Sequence, residues 1–160
     1  MQLLAEDMRA VVTRAAAQLR QIEDDTAAQR PAPGEWSSKE ILGHLVDSAA
    51  NNHQRFLRAQ RDESHDFLGY IPDDWVALQA YQTRDWPQII ALWEAYNLHL
   101  ASIIEIIPDD KLRTVCSIDG TLWTLKEIVV DYLGHMQMHL DALPVDVSDV
   151  KRYPYPKAHS

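Results

Sequence analysis

Apolar residues return every third or fourth position through four long stretches of this chain, a period that fits helices packed on one face and little else. The first stretch, residues 3–28, carries Leu4, Met8, Val11, Val12, Ala15, Leu19 and Ile22. The second, residues 38–61, carries Leu42, Leu45, Val46, Ala49, Phe56 and Leu57. The third, 86–107, carries Ile89, Ile90, Leu92, Trp93, Tyr96, Leu100 and Ile103, and the last, 124–143, carries Ile128, Tyr132 and Leu143. Their ends are marked as well. Pro31–Gly34 stops the first, Pro87 suits the opening turn of the third, and Pro108 lies just past its end. Ser37 with Glu40 and Thr124 with Glu127 read as capping boxes, in which a hydroxyl and a carboxylate satisfy each other's orphan backbone N–H groups. The expected fold class is all-α.

The remaining segments are less regular. Asp62–Pro72 reads as a polar connection, 73–81 as a weak short helix, and 109–123 as irregular structure with a tight turn at Asp119-Gly120 that suits a small hairpin. Residues 1–143 then form one domain, and Pro144 onward is an extended tail over 144–160. A chain of 160 residues can bury a core without disulfides, and only five glycines interrupt it.

Charge and cysteine usage narrow the function. A net charge of −9 with dispersed Lys and Arg argues against nucleic acid, whose phosphates it would repel. Nothing approaches 18 consecutive apolar residues, so no membrane span is expected. The single cysteine, Cys116, cannot form an internal disulfide, and no secretory leader pattern opens the chain, so a reducing cytoplasm is the expected location. Cys116 lies in the irregular segment and reads as an ordinary thiol.

The chemistry-bearing residues are histidines. His135 and His139 stand four apart, about 400° of helical turn, so both imidazoles leave one face. That is the placement one helix needs to offer two ligands to a tetrahedral ion, although such pairs also arise on ordinary exposed faces. Met136 follows His135, so the Glu of a His-Glu-x-x-His protease is missing. Ile128, Tyr132 and Leu143 flank the pair and imply partial burial, where a metal offsets the desolvation of unpaired imidazoles. Asp131, one turn before His135, suits a fourth ligand or a partner that fixes a histidine tautomer. His44 is the natural third ligand, at the edge of its helix's apolar side beside Asp47, Ser48 and Asn51. A half-exposed boundary histidine is the plainer reading of it. His53 points to about the opposite side, and His53, His65, His99 and His159 read as solvent or packing residues.

Trp36-Ser-Ser-Lys-Glu-Ile41 and Trp123-Thr-Leu-Lys-Glu-Ile128 share one pattern, and each opens a helix with a candidate ligand. Two convergent caps explain this, as do two related helical pairs about a pseudo-twofold axis. With His44-Leu-Val-Asp47-Ser48, Asn52, Phe56 and His135-Met-Gln-Met-His139, these stretches resemble the DinB and YfiT-like superfamily of bacterial metalloenzymes, most closely its YfiT-like branch. The resemblance implies an up-down four-helix bundle, often a homodimer. It places zinc, nickel or a similar ion on His44, His135 and His139; beside such a site Asp47 or Asp131 would orient a ligand or move a proton. It implies a small-molecule substrate and favours S-transfer with a low-molecular-weight thiol, bacillithiol or mycothiol in other members. A metal-dependent hydrolase is the alternative, and a non-catalytic metal-binding stress-response module is a third reading. Leu140-Asp141 departs from the family's more His-rich run after His139, which leaves the triad intact and bears on the substrate.

Overall fold

A computed structural model describes residues 1–61 and 64–155; His159 and the rest of 156–160 lie outside the described residues. Four long helices dominate: α1 Gln2–Leu19, α3 Ser38–Arg61, α5 Trp86–Glu105 and α6 Leu125–Leu140, with short α2 Asp24–Ala27 and α4 Pro72–Leu78 between them. Single 3-10 turns stand at Tyr81–Thr83 and Lys111–Arg113. Most of the periodic positions face inward, but Leu57 and Leu92 are exposed. Met8, Val11, Ala15, Leu19, Leu42, Leu45, Phe56, Ile90, Trp93, Leu100, Val129, Leu133 and Met136 are all buried in one core.

Both capping boxes form. The Ser37 N–H donates to Glu40 Oε2 at 2.9 Å and the Glu40 N–H to Ser37 Oγ at 3.3 Å. Thr124 and Glu127 repeat the exchange at 2.7 and 3.3 Å. Asp85 caps α5 by accepting from the Gln88 N–H at 3.1 Å.

The first helix is shorter than its periodicity predicts, ending at Leu19 rather than running to 28. Tertiary hydrogen bonds explain the break. The Trp86 indole N–H donates to the Leu19 carbonyl at 3.1 Å, and Asp24 accepts from the Trp86 backbone N–H at 2.9 Å and from Lys39 Nζ at 2.8 Å. The last helix likewise ends at Leu140, three residues early.

The fold is mostly helical but not all-α. Strands β1 Ser64–Phe67, β2 Val115–Ile118 and β3 Thr121–Thr124 form a small sheet, with β1 parallel to β2 and β2 antiparallel to β3. Cys116 stands opposite His65 on one side and Trp123 on the other. The β2–β3 turn is Asp119-Gly120, with φ of 47° and 80°, the left-handed pair a two-residue hairpin requires. β1 stands where the sequence predicts a polar connection, because its pairing partner lies some fifty residues away, beyond any local pattern.

The helices do not pack in simple up-down order. α1 lies against α5 and α6, and α3 lies against the same two, so each consecutive pair α1–α3 and α5–α6 sits across a diagonal. The connections 20–37 and 106–124 are long enough to cross the ends of the bundle. This order makes α3 and α6 neighbours, and the candidate site lies between them.

Candidate metal centre

α3 and α6 run antiparallel, pairing His44 with His139 and Ser48 with His135. The ring centroids of His44 and His139 are 4.6 Å apart, as are those of His135 and His139, and His44 and His135 are 5.1 Å apart. His44 Nε2 faces His135 Nε2 at 3.1 Å, across 91 residues of sequence. One ring nitrogen from each of the three lies within 4.8 Å of the other two.

This arrangement fits a divalent ion. Nitrogens bound at 2.0–2.1 Å to a tetrahedral zinc stand about 3.3–3.4 Å apart, close to the observed Nε2 pair. Without an ion, one of two facing Nε2 atoms must carry a proton to avoid lone-pair repulsion. The surroundings prepare Nε2 of His135 for ligation: Ser48 Oγ lies 3.4 Å from its Nδ1, so an Nδ1–H donating there leaves the Nε2 lone pair free. Trp36 shields the cluster, its ring 5.2 Å from His44 and 6.4 Å from His139.

All three imidazoles are held neutral. Burial pushes His44 down to about 3, with His139 beside it adding to the effect. Burial alone takes His139 to about 4. His135 is lowered well below its ordinary value by burial, then by His139, His44 and the cation of Arg55. Neutral imidazole is the form that ligates a metal.

Beside the cluster opens a cavity of about 230 Å³, lined by His44 and His135, by Ser48, Asn52 and Arg55 further along α3, and by Asp131 one turn before His135. Tyr70, Asp119, Trp123 and Tyr155 are also on its walls. Among the described residues, Asp131 is not one of the clustered ligand groups but stands on the cavity wall. Asp47 is placed differently. It is buried, its Oδ1 accepts from the Tyr81 hydroxyl at 2.8 Å and from Gln79 Nε2, and it lines no part of the cavity. Burial raises its pKa against the pull of those hydrogen bonds.

His53 faces away onto α5, where Nδ1 lies 3.1 Å from the Tyr96 hydroxyl and the ring 5.3 Å from His99. His65 is on β1 rather than in a loop. Cys116 is buried, and burial raises its thiol pKa, so it is not an activated nucleophile.

Among the wall residues that the sequence does not single out are Arg55 and Tyr155. Arg55 follows His44 by eleven residues, about 20° from it around the helix, so extending the His44–Ser48–Asn52 stripe one turn would have found it. Tyr155 gave no such signal. The tail crosses α6 at Gly134, where an added Cβ would lie 2.4 Å from the Pro154 carbonyl oxygen. Gln137 clamps it by donating to the Lys151 carbonyl at 2.7 Å and accepting from the Tyr153 N–H at 2.9 Å. Tyr155 thereby reaches His135, with ring centroids 5.2 Å apart. The described part of the tail is a wall of the site.

The sequence model of the DinB superfamily matches residues 5–143. The chain belongs to the DinB superfamily. A Bacillus licheniformis protein named as a candidate metal-dependent hydrolase is 25% identical over 128 residues, covering 79% of this chain and 71% of that protein. The solved structure of YfiT from Bacillus subtilis superimposes with a TM-score of 0.73 at 20% identity, over 85% of this chain and 81% of that one. YfiT is described as having an unusual four-helix bundle topology, and this DinB chain shares its fold. No helix among the described residues is long and apolar enough to cross a membrane.

Proposed function

We propose that this DinB protein is a metal-dependent enzyme acting on a small molecule, with His44, His135 and His139 holding one divalent ion, zinc or nickel, and a fourth position open to the cavity. The observation that carries the reading is the meeting of three neutral imidazole nitrogens within 4.8 Å beside that cavity. A purely structural ion would sit in a closed ligand set, with no cavity at its side. An ion with three histidines and an open position lowers the pKa of a coordinated water toward about 7, and stabilises a coordinated thiolate in the same way.

The chain's own residues do the rest. Asp131, on the cavity wall one turn from His135, is the group placed to take a proton from the nucleophile or return one to the leaving group. Ser48 holds His135 in its ligating tautomer, and Trp36 keeps bulk water from the rear of the cluster. Asp47 acts at a distance, anchoring Gln79 and Tyr81, which follow α4, against α3.

Water is the favoured nucleophile, because both relatives are named as candidate or probable metal-dependent hydrolases. The thiol S-transfer that the family resemblance implies would use the same open position. The test is turnover of activated ester and amide substrates by zinc- and nickel-loaded protein, with and without added thiol. Hydrolysis without thiol, abolished by a chelator and restored by the ion, is expected. Turnover only when thiol is supplied and consumed would replace hydrolysis by S-transfer, and none under either condition would leave the ion a staple.

A further inference from the structure

Arg55 is a cation the fold takes trouble to keep half-buried. It stands on the face of α3 that carries His44, Ser48 and Asn52, and all four line the cavity. An arginine on a helix leans toward the N-terminal end, here toward the histidines. It shares that cavity with His135. Burial lowers its own pKa, and Tyr70, Asp119 and Asp131 face it and work the other way. Among the described residues its one hydrogen bond is to Asn52 Oδ1, at 3.5 Å. A guanidinium carries five N–H donors in a planar fork, and this one belongs to a residue of the cavity wall. Asp119 spends Oδ1 on the Gly69 backbone N–H at 2.8 Å rather than on the arginine.

We propose that Arg55 is the specificity residue of the site and that the substrate is a small monocarboxylate, its carboxylate held by the guanidinium and its reacting group by the ion at the three histidines. The proposal rests on the metal reading for the second of these anchors only. Size and charge both favour the assignment. At about 230 Å³ the cavity is below the usual range of about 300–1,000 Å³ for ligand pockets, which suits a small reacting group. A divalent ion and Arg55 on one cavity present positive charge at two points, which complements an anionic substrate. Planar carboxylate and planar guanidinium also pair through two parallel hydrogen bonds. The two anchors would fix a substrate by both ends and select its length.

The test uses the full chain in two states. In metal-free protein, acetate and butyrate should shift the Arg55 Nε–H resonance, and Arg55→Gln should weaken their binding at least about tenfold, with Arg55→Lys intermediate. In cobalt-loaded protein, ω-mercaptocarboxylates of increasing length are compared with mercaptoalcohols of equal length by thiolate-to-cobalt absorption. One length should bind about tenfold more tightly than its alcohol, and in Arg55→Gln acid and alcohol of that length should bind equally. Equal binding of acid and alcohol at every length, or a preference that survives in Arg55→Gln, overturns the proposal. Failure of the wild type to take up cobalt would overturn the metal reading instead, and the metal-free titration would still decide the role of Arg55.

Discussion

His44 is buried and His135 and His139 half-buried, all as neutral bases, and this fixes the sign of the protein's response to acid. Their folded pKa values, about 3 for His44, about 4 for His139 and well below the ordinary value for His135, lie beneath the unfolded value of about 6.5. The unfolded chain therefore binds more protons below pH 6.5, and stability present above that pH is lost as pH falls toward the folded values. A fully buried group such as His44 contributes a slope of about 1.4 kcal/mol per pH unit in that window. Thermal melts of metal-free protein should show Tm level from pH 8 to 7 and falling steadily from pH 6.5 to 4.5. A flat Tm over the lower range would mean that the imidazoles are not desolvated. The two candidate aspartates separate at the same scale. Asp131→Asn should cut turnover about 10–100-fold while leaving metal content intact, since it changes a cavity-wall group. Asp47→Ala should instead cost about 1–3 kcal/mol of stability, because it strips the Tyr81 hydroxyl of its acceptor. The reverse pattern would exchange their roles.

Among the elements, the tail makes the sharpest prediction. An alanine in a helix interior is normally about 1 kcal/mol better than glycine. At Gly134 the sign should invert, because the new methyl would collide with the Pro154 carbonyl and push the tail off α6. Gly134→Ala should lower Tm and expose Tyr155 to solvent quenching; a raised Tm would show that the tail does not press there. The contrast with α3 and α6 shows what sequence can disclose. Both of those helices, their capping boxes and their histidine faces follow from spacing within a dozen residues. The α1 break depends on an indole 67 residues away, β1 on a strand fifty residues later, and the tail's course on a glycine about twenty residues earlier on α6. No local period records such partners. The Asp119-Gly120 hairpin was legible because its turn is local.

For the whole molecule, the diagonal order of helices is what makes the site. Had α1 packed on α3 and α5 on α6, with α3 and α6 on the diagonal, His44 and His135 could not approach to 3.1 Å. Leu3, Leu92 and Ile106 remain exposed on α1 and at α5, and the expected homodimer would cover such surface. Sedimentation should give about twice the chain mass of 18.3 kDa, and a species at the single-chain mass at micromolar concentration would count against it. The convergence of three histidines from two helices is the central claim, and metal content per chain tests it most directly. Wild type, His44→Ala and His53→Ala are prepared side by side, loaded with zinc or nickel, and assayed for bound metal after dialysis. His53 lies against Tyr96 and His99, away from the cluster, so its variant should retain one ion per chain like the wild type. His44→Ala should lose nearly all of it, because two histidines hold an ion far less tightly than three. Equal metal in the two variants would make His44 an ordinary buried histidine and contradict the three-histidine site.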